Sequence, residues 1–214
     1  MEERNITVTL DKAREWFYSE DASLKEIALQ AFSKNELVCN FKNITTFQKA
    51  CEVLGLNYGE MLHITMNIVT ISKASAAMFK LNIIRKALNL GQDLHLTKDP
   101  KDSYIYYPYN PFVTKSSTYK SEINPGEMEI IGKIKSEGEE YNVLGGCAFI
   151  GAAGLGDFNS YHGVGDASAD FGFLGCANRE IAQHLGKYFG MLITEAKYGD
   201  MVDFEIIKDN YHNC

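Results

Sequence analysis

Apolar residues in the first 91 positions recur every three or four residues, the spacing of amphipathic helices, and polar residues able to open a helix precede each run. Thr9 is placed to cap a helix over 11–17. Ser23 and Glu26 have capping-box spacing, in which the hydroxyl accepts an amide at N3 and the carboxylate reaches back. Leu24, Ile27, Ala28 and Ala31 then give one apolar stripe. Ser33 with Glu36 repeats the box, and Thr45 with Gln48 repeats it ahead of Phe47, Ala50, Cys51 and Leu54. Gly55 falls where a left-handed residue ends a helix. A longer helix is expected from about 72 to 90, with Met78, Leu81, Ile84, Ala87 and Leu88 inward, Ser72 at its start and Gly91 at its end. Its late cations Lys80, Arg85 and Lys86 complement the helix dipole. The stretch 58–71 fits either another helix or an extended linker.

The pattern changes near Gln92. All four prolines, Pro100, Pro108, Pro111 and Pro125, fall within 100–125, which excludes a long helix there. Tyr104, Ile105, Tyr106, Tyr107 and Tyr109 have strand character. Alternation predicts a strand over 128–135, a turn at Glu137, Gly138 and Glu139, and one return strand over 141–150. Residues 171–176 read as a further strand. Asn178 then opens a helix whose inner face is Ile181, Leu185, Phe189, Leu192 and Ile193, with Gly186 and Gly190 spaced for close backbone approach. Val202 to Ile207 suggests an edge strand. No internal repeat is present. The expected fold is α+β: an N-terminal region of short helices (1–91), then a 92–214 domain with an antiparallel sheet and a C-terminal covering helix.

Nine of the 18 glycines lie between Gly145 and Gly175. A phosphate-binding loop needs glycines at a strand-to-helix turn, whereas these run from one strand toward another, and no P-loop Lys follows. Asp157, His162, Asp166 and Asp170 offer metal ligands but match no strict calcium-loop pattern. A long binding or assembly loop is the favoured reading, with Phe158, Tyr161 and His162 as contact residues. Tyr106 and Tyr109 extend the candidate surface, either as a stacking platform for sugars or bases or as sheet packing.

Composition adds exclusions. With 214 residues, 45% apolar and 23% charged, the chain is globular rather than disordered or fibrous. Its net charge of −7, with dispersed Lys and Arg, argues against a nucleic-acid partner. The charged start Met1-Glu2-Glu3-Arg4, with no apolar run after it and none of spanning length elsewhere, predicts synthesis in a cytoplasm without a membrane span. Five cysteines without a CxxC pair suggest reduced, buried thiols rather than disulfides or zinc. The five histidines are isolated, and neither HExxH nor GxSxG occurs. A Cys147–His162 dyad is conceivable, but nothing local activates the thiol, and Glu139-Glu140 sits at a turn. No enzyme activity, cofactor or metal is therefore expected.

Several segments carry a resemblance: residues 6–16 (ITVTLDKAREW), 23–32 (SLKEIALQAF), 46–51 (TFQKAC), 79–89 (FKLNIIRKALN), 173–176 (FLGC) and 179–189 (REIAQHLGKYF). Over most of its length the chain resembles a family of proteins encoded by Bacteroides phages and prophages. This implies a phage origin and no particular mechanism. A second resemblance is to the C-type-lectin-like folds of phage receptor-binding proteins. It rests on Leu144-Gly145-Gly146-Cys147 and Phe171-Gly172-Phe173, without the Trp and Arg that usually accompany them and with a long helix following. Together these readings predict a non-enzymatic, virion-associated protein made in the bacterial host cytoplasm. Its expected partners are other phage structural proteins or further copies of itself. The alternatives are a module binding a surface glycan or receptor through Tyr106, Tyr109, Phe158 and Tyr161, and a small-molecule-binding effector against host defence.

Overall fold

A computed structural model describes residues 8–37, 40–90, 104–110, 112–114, 129–145, 147–152 and 174–209. These residues form an α+β protein, with short helices first, antiparallel strands after them, and a long C-terminal helix packed on the strands. The change near Gln92 separates helices from strands. Compactness divides the chain elsewhere, into Met1–Asn40 and Phe41–Cys214.

The first unit contains α1 (Leu10–Phe17), α2 (Ala22–Ala31) and α3 (Lys34–Leu37). Thr9 caps α1 as expected, its hydroxyl accepting the Lys12 amide at 3.3 Å. The cap of α2 is Asp21 rather than Ser23. One Asp21 carboxylate oxygen accepts the amides of Ser23 (2.8 Å) and Leu24 (3.3 Å), so the helix starts earlier and Ser23 lies inside its first turn. A carboxylate bonds two free amides and also complements the positive end of the helix. The inner stripe is narrower than the spacing suggests. Ala28 joins Ala13, Phe17 and Leu37 in the core, while Ile27 is 44% exposed.

The second unit begins with a 3-10 turn (Phe41–Asn43), followed by α4 (Phe47–Val53), α5 (Tyr58–Val69) and α6 (Lys73–Leu88). Thr46, not Thr45, caps α4 and accepts the Lys49 amide at 3.2 Å. Phe47, the first helical residue, is fully buried, which sets the position where the chain turns into the helix. Gly55 ends α4 at φ +66°, with Leu56 N bonded to Cys51 O and Gly55 N to Glu52 O, the paired bonds of a Schellman cap. The undecided stretch after it is the helix α5. At the start of α6 the Ser72 hydroxyl accepts the Ser75 amide (2.8 Å) and donates to Asp200. Asp200 also accepts the amides of Lys73 (2.8 Å) and Ala74 (3.3 Å), so a residue 128 positions away completes the cap.

Among the described residues six strands follow: β1 (Tyr104–Tyr109), β2 (Phe112–Thr114), β3 (Glu129–Ser136), β4 (Glu139–Gly145), β5 (Cys147–Ala152) and, after helix α7 (Arg179–Tyr198), β6 (Phe204–Asp209). The single return strand predicted over 141–150 is two strands in two sheets. Among the described residues β4 lies in the four-stranded order β2-β4-β3-β6, and β5 pairs with β1 in a second sheet. Glu137 (φ 51°) and Gly138 (φ 84°) form the tight β3–β4 turn, and positive φ at both matches the twist of a hairpin. The strand expected over 171–176 is reduced, within the described residues, to a bridge at Cys176, which exchanges two backbone bonds with Tyr106. β6 is an edge strand, as the sequence suggests.

Helix α7 runs between α6 and the strands, so most of its faces are buried. Asn178 caps it, accepting the Ile181 amide at 2.9 Å, and Ile181, Leu185, Phe189, Leu192 and Ile193 are all buried. Its glycines let the sheet come close. A Cβ built on Gly145 of β4 would lie 2.7 Å from the carbonyl oxygen of Gly186. One built on Gly190 would overlap Cδ1 of Ile131. Ile131 is the extra residue of a β-bulge in β3, because Ile130 pairs with Leu144 and Gly132 with Val143. The bulge turns Ile131 into the space that the two glycines leave. Asn110 ties the layers together, its Nδ2 donating to Leu144 O and Gly186 O, both at 2.9 Å.

A methyl group at Gly145 therefore has to displace backbone. Gly145→Ala should destabilise the protein by about 1–3 kcal/mol, the usual cost of overpacking. Urea unfolding with an unchanged m-value would register this as a lower midpoint. A midpoint equal to wild type would show that the close approach is not needed.

Candidate functional site

Of the five contact residues read from the sequence, only Tyr106 has its side chain among the described residues. Tyr106 lies in β1, half-buried, with its backbone bridged to Cys176. Tyr109 ends β1 opposite Cys147, and its side chain lies outside the described residues, as do Phe158, Tyr161 and His162. The same holds for the metal candidates Asp157, Asp166 and Asp170 and for the Cys147–His162 pair. Two other aromatics of this stretch are packing residues. Tyr107 is 6% exposed, and the Phe112 ring lies 5.5 Å from that of Tyr198.

The described thiols belong to the core. Burial pushes the Cys176 thiol up to about 12, against the opposing pull of Arg85 and a hydrogen bond with Asn89. Burial, then the neighbouring Glu52, raises Cys51. A thiol held protonated is a poor nucleophile at neutral pH. Asn89 holds this corner together: its Nδ2 donates to Arg85 O (2.9 Å) and Gly175 O (3.3 Å), and its Oδ1 accepts the Ala177 amide (2.8 Å). Among the described residues no group of His, Cys, Asp and Glu could hold a metal ion, and no helix is long and apolar enough to cross a membrane.

His184 on α7 also has a structural placement. Its Nε2–H donates to Ile44 O at 2.8 Å, and its ring lies 4.5 Å from Tyr188 and 5.5 Å from Phe41. Burial holds its pKa below the ordinary imidazole value. The Ile44 bond opposes that shift, while Lys187 and Lys42 reinforce it.

The surface with the clearest capacity for contact is α5, the stretch whose structure the sequence left open. Asn57 caps it, accepting the Glu60 amide at 3.2 Å. Thr65 is its one buried side chain, with the hydroxyl donating to Met61 O at 2.8 Å. A second line on the helix, Met61, Ile64 and Ile68, lies about a quarter turn away from Thr65, and Ile71 follows in the turn after the C-cap Thr70. Met61 and Ile68 are half-buried, whereas Ile64 is 39% and Ile71 88% exposed. The Ser72–Asp200 bond brings a second apolar turn next to this end, carrying Met201 (54% exposed) and Val202 (98%). From 54 to 72 the only Asp, Glu, Lys or Arg is Glu60. The helical spacing and missing charge were signals available in the sequence, but exposure was not.

Comparison with protein-family models, curated proteins and solved structures finds no match to this chain.

The His184 site makes stability depend on pH. Its lowered pKa means that the folded state binds a proton less readily than the unfolded chain, so the stabilisation is full above the unfolded value near 6.5 and is lost as pH falls below it. Unfolding midpoints measured at pH 7.5, 6 and 5 should decline, and His184→Gln should flatten the decline between 7.5 and 5. A variant as pH-sensitive as wild type would remove His184 as the cause.

Proposed function

We propose that this chain is a non-enzymatic phage protein, associated with the virion, that works through protein–protein contact. The observation that carries the contact reading is the exposed apolar surface of α5 and the turn after it, formed by Ile64, Met66, Val69 and Ile71, with Ile71 almost fully exposed. Contiguous exposed apolar surface is unfavourable in water and marks interaction sites in soluble proteins. The core placement of Cys51 and Cys176 is consistent with a protein that does not use these thiols for chemistry. The phage and virion parts of the proposal rest on the resemblance of the segments at 6–16, 23–32, 79–89 and 179–189.

Quantitative mass spectrometry of virions purified from a phage that encodes this chain tests the assignment. Its peptides should be present at copy numbers comparable with other structural proteins and should persist through density-gradient purification. Presence in the infected-cell lysate with absence from the particles would overturn the virion assignment.

A further inference from the structure

We infer that His184 is a latch worked by pH: its neutral ring pins the 3-10 turn at 41–43 to helix α7 through the Ile44 carbonyl, and when the ring takes a proton the turn swings out while the rest of the second unit stays folded. The change is local, and so goes beyond a general loss of stability in acid. It does not rest on the virion reading. The latch stands at Phe41, where the second unit begins.

The geometry selects the neutral ring. The Ile44 carbonyl can only accept, so Nε2 carries the hydrogen of the 2.8 Å bond and Nδ1 is the atom that takes the second proton. The ring is 8% exposed and touches two aromatic rings, Phe41 edge-on from the turn and Tyr188 from the next turn of α7. A charge placed there is stripped of water. The imidazolium keeps its Nε2–H donor, yet burial outweighs the bond to Ile44 and holds the pKa down. Both charged groups that act on the ring are cations, Lys187 from its own helix and Lys42 from the turn, and each opposes protonation. Glu180, four residues earlier on α7, engages Lys42 at 3.8 Å, and both of those side chains are exposed.

Of the two sides of the latch, the turn is the one that yields. Helix α7 is fixed by Ile181, Leu185 and Phe189, all fully buried, whereas none of Phe41, Lys42 and Asn43 is buried. A three-residue turn also has little structure of its own to lose, here one bond from Ile44 N to Phe41 O at 2.9 Å. The Ile44 side chain is 1% exposed and marks the hinge. Opening is therefore a swing of 41–43 with rotation of the Ile44 carbonyl toward water, and α4 stays in place. Segments with few buried contacts open at lower free energy than the whole fold.

Hydrogen exchange of the full chain, read residue by residue by NMR and corrected for the intrinsic pH dependence, tests the inference. The reporter is the Ile44 amide, which the turn protects through its bond to Phe41 O. Its opening equilibrium should rise roughly tenfold between pH 7.5 and 5, because the open state binds the proton more readily than the closed one. The midpoint of that rise should coincide with the titration of the His184 ring followed in the same samples. The amides of Leu185 in α7 and Val143 in β4 should change by less. His184→Gln keeps a donor for Ile44 O and does not titrate, so its Ile44 amide should be equally protected at both pH values. Opening that does not change with pH, a midpoint apart from the ring titration, an equal rise at Leu185 and Val143, or the same rise in His184→Gln would each overturn the inference. The first three are read on the wild-type chain and decide the matter even if His184→Gln fails to fold.

Discussion

The second unit depends on how closely helix α7 approaches the strands. Gly145 lets its strand backbone approach the carbonyl oxygen of Gly186, and Gly190 leaves space that Ile131 fills from the bulge in β3. A side chain at either point would push the layers apart and leave the dispersion contacts of the interior unmade. Asn110 completes the junction by donating to a strand carbonyl and a helix carbonyl at once. Helix α7 is therefore less a cover over one sheet than a shared core element, with α6 on one side and strands of two sheets on the other.

That arrangement also accounts for what remains exposed. α6 and α7 bury one another, and the Ser72–Asp200 cap joins the start of one to the turn after the other. α5 packs against α6 and α4, so Thr65 is buried and the adjacent apolar line is half covered. An apolar surface that folding leaves open is a natural place for association.

Sequence patterns located most helices because their signals are local. Thr9, Ser72 and Asn178 act as caps where the polar-then-apolar pattern places them, and the Gly55 terminator has the left-handed geometry its position implies. Two caps moved by one or two residues. Asp21 offers a charged acceptor ahead of Ser23, and burial of Phe47 makes Thr46 the turning point. Alternation predicts one strand over 141–150 where two stand, because it records which face a side chain takes but not which neighbour its backbone bonds. The Tyr106 and Tyr109 surface was ambiguous for a related reason, since strand aromatics have the same sequence signature in a core as on a platform.

By itself, the sequence determined the α+β class, the helix signals, the β3–β4 hairpin turn and the buried face of α7, since each follows from local spacing and backbone preference. Only the tertiary structure decided that β4 and β5 belong to different sheets, that Asp200 caps a helix 128 residues earlier, and that α5 presents apolar residues to solvent. These features depend on contacts between distant segments. Periodicity shows which residues can be buried, but only the packed fold determines which of them are.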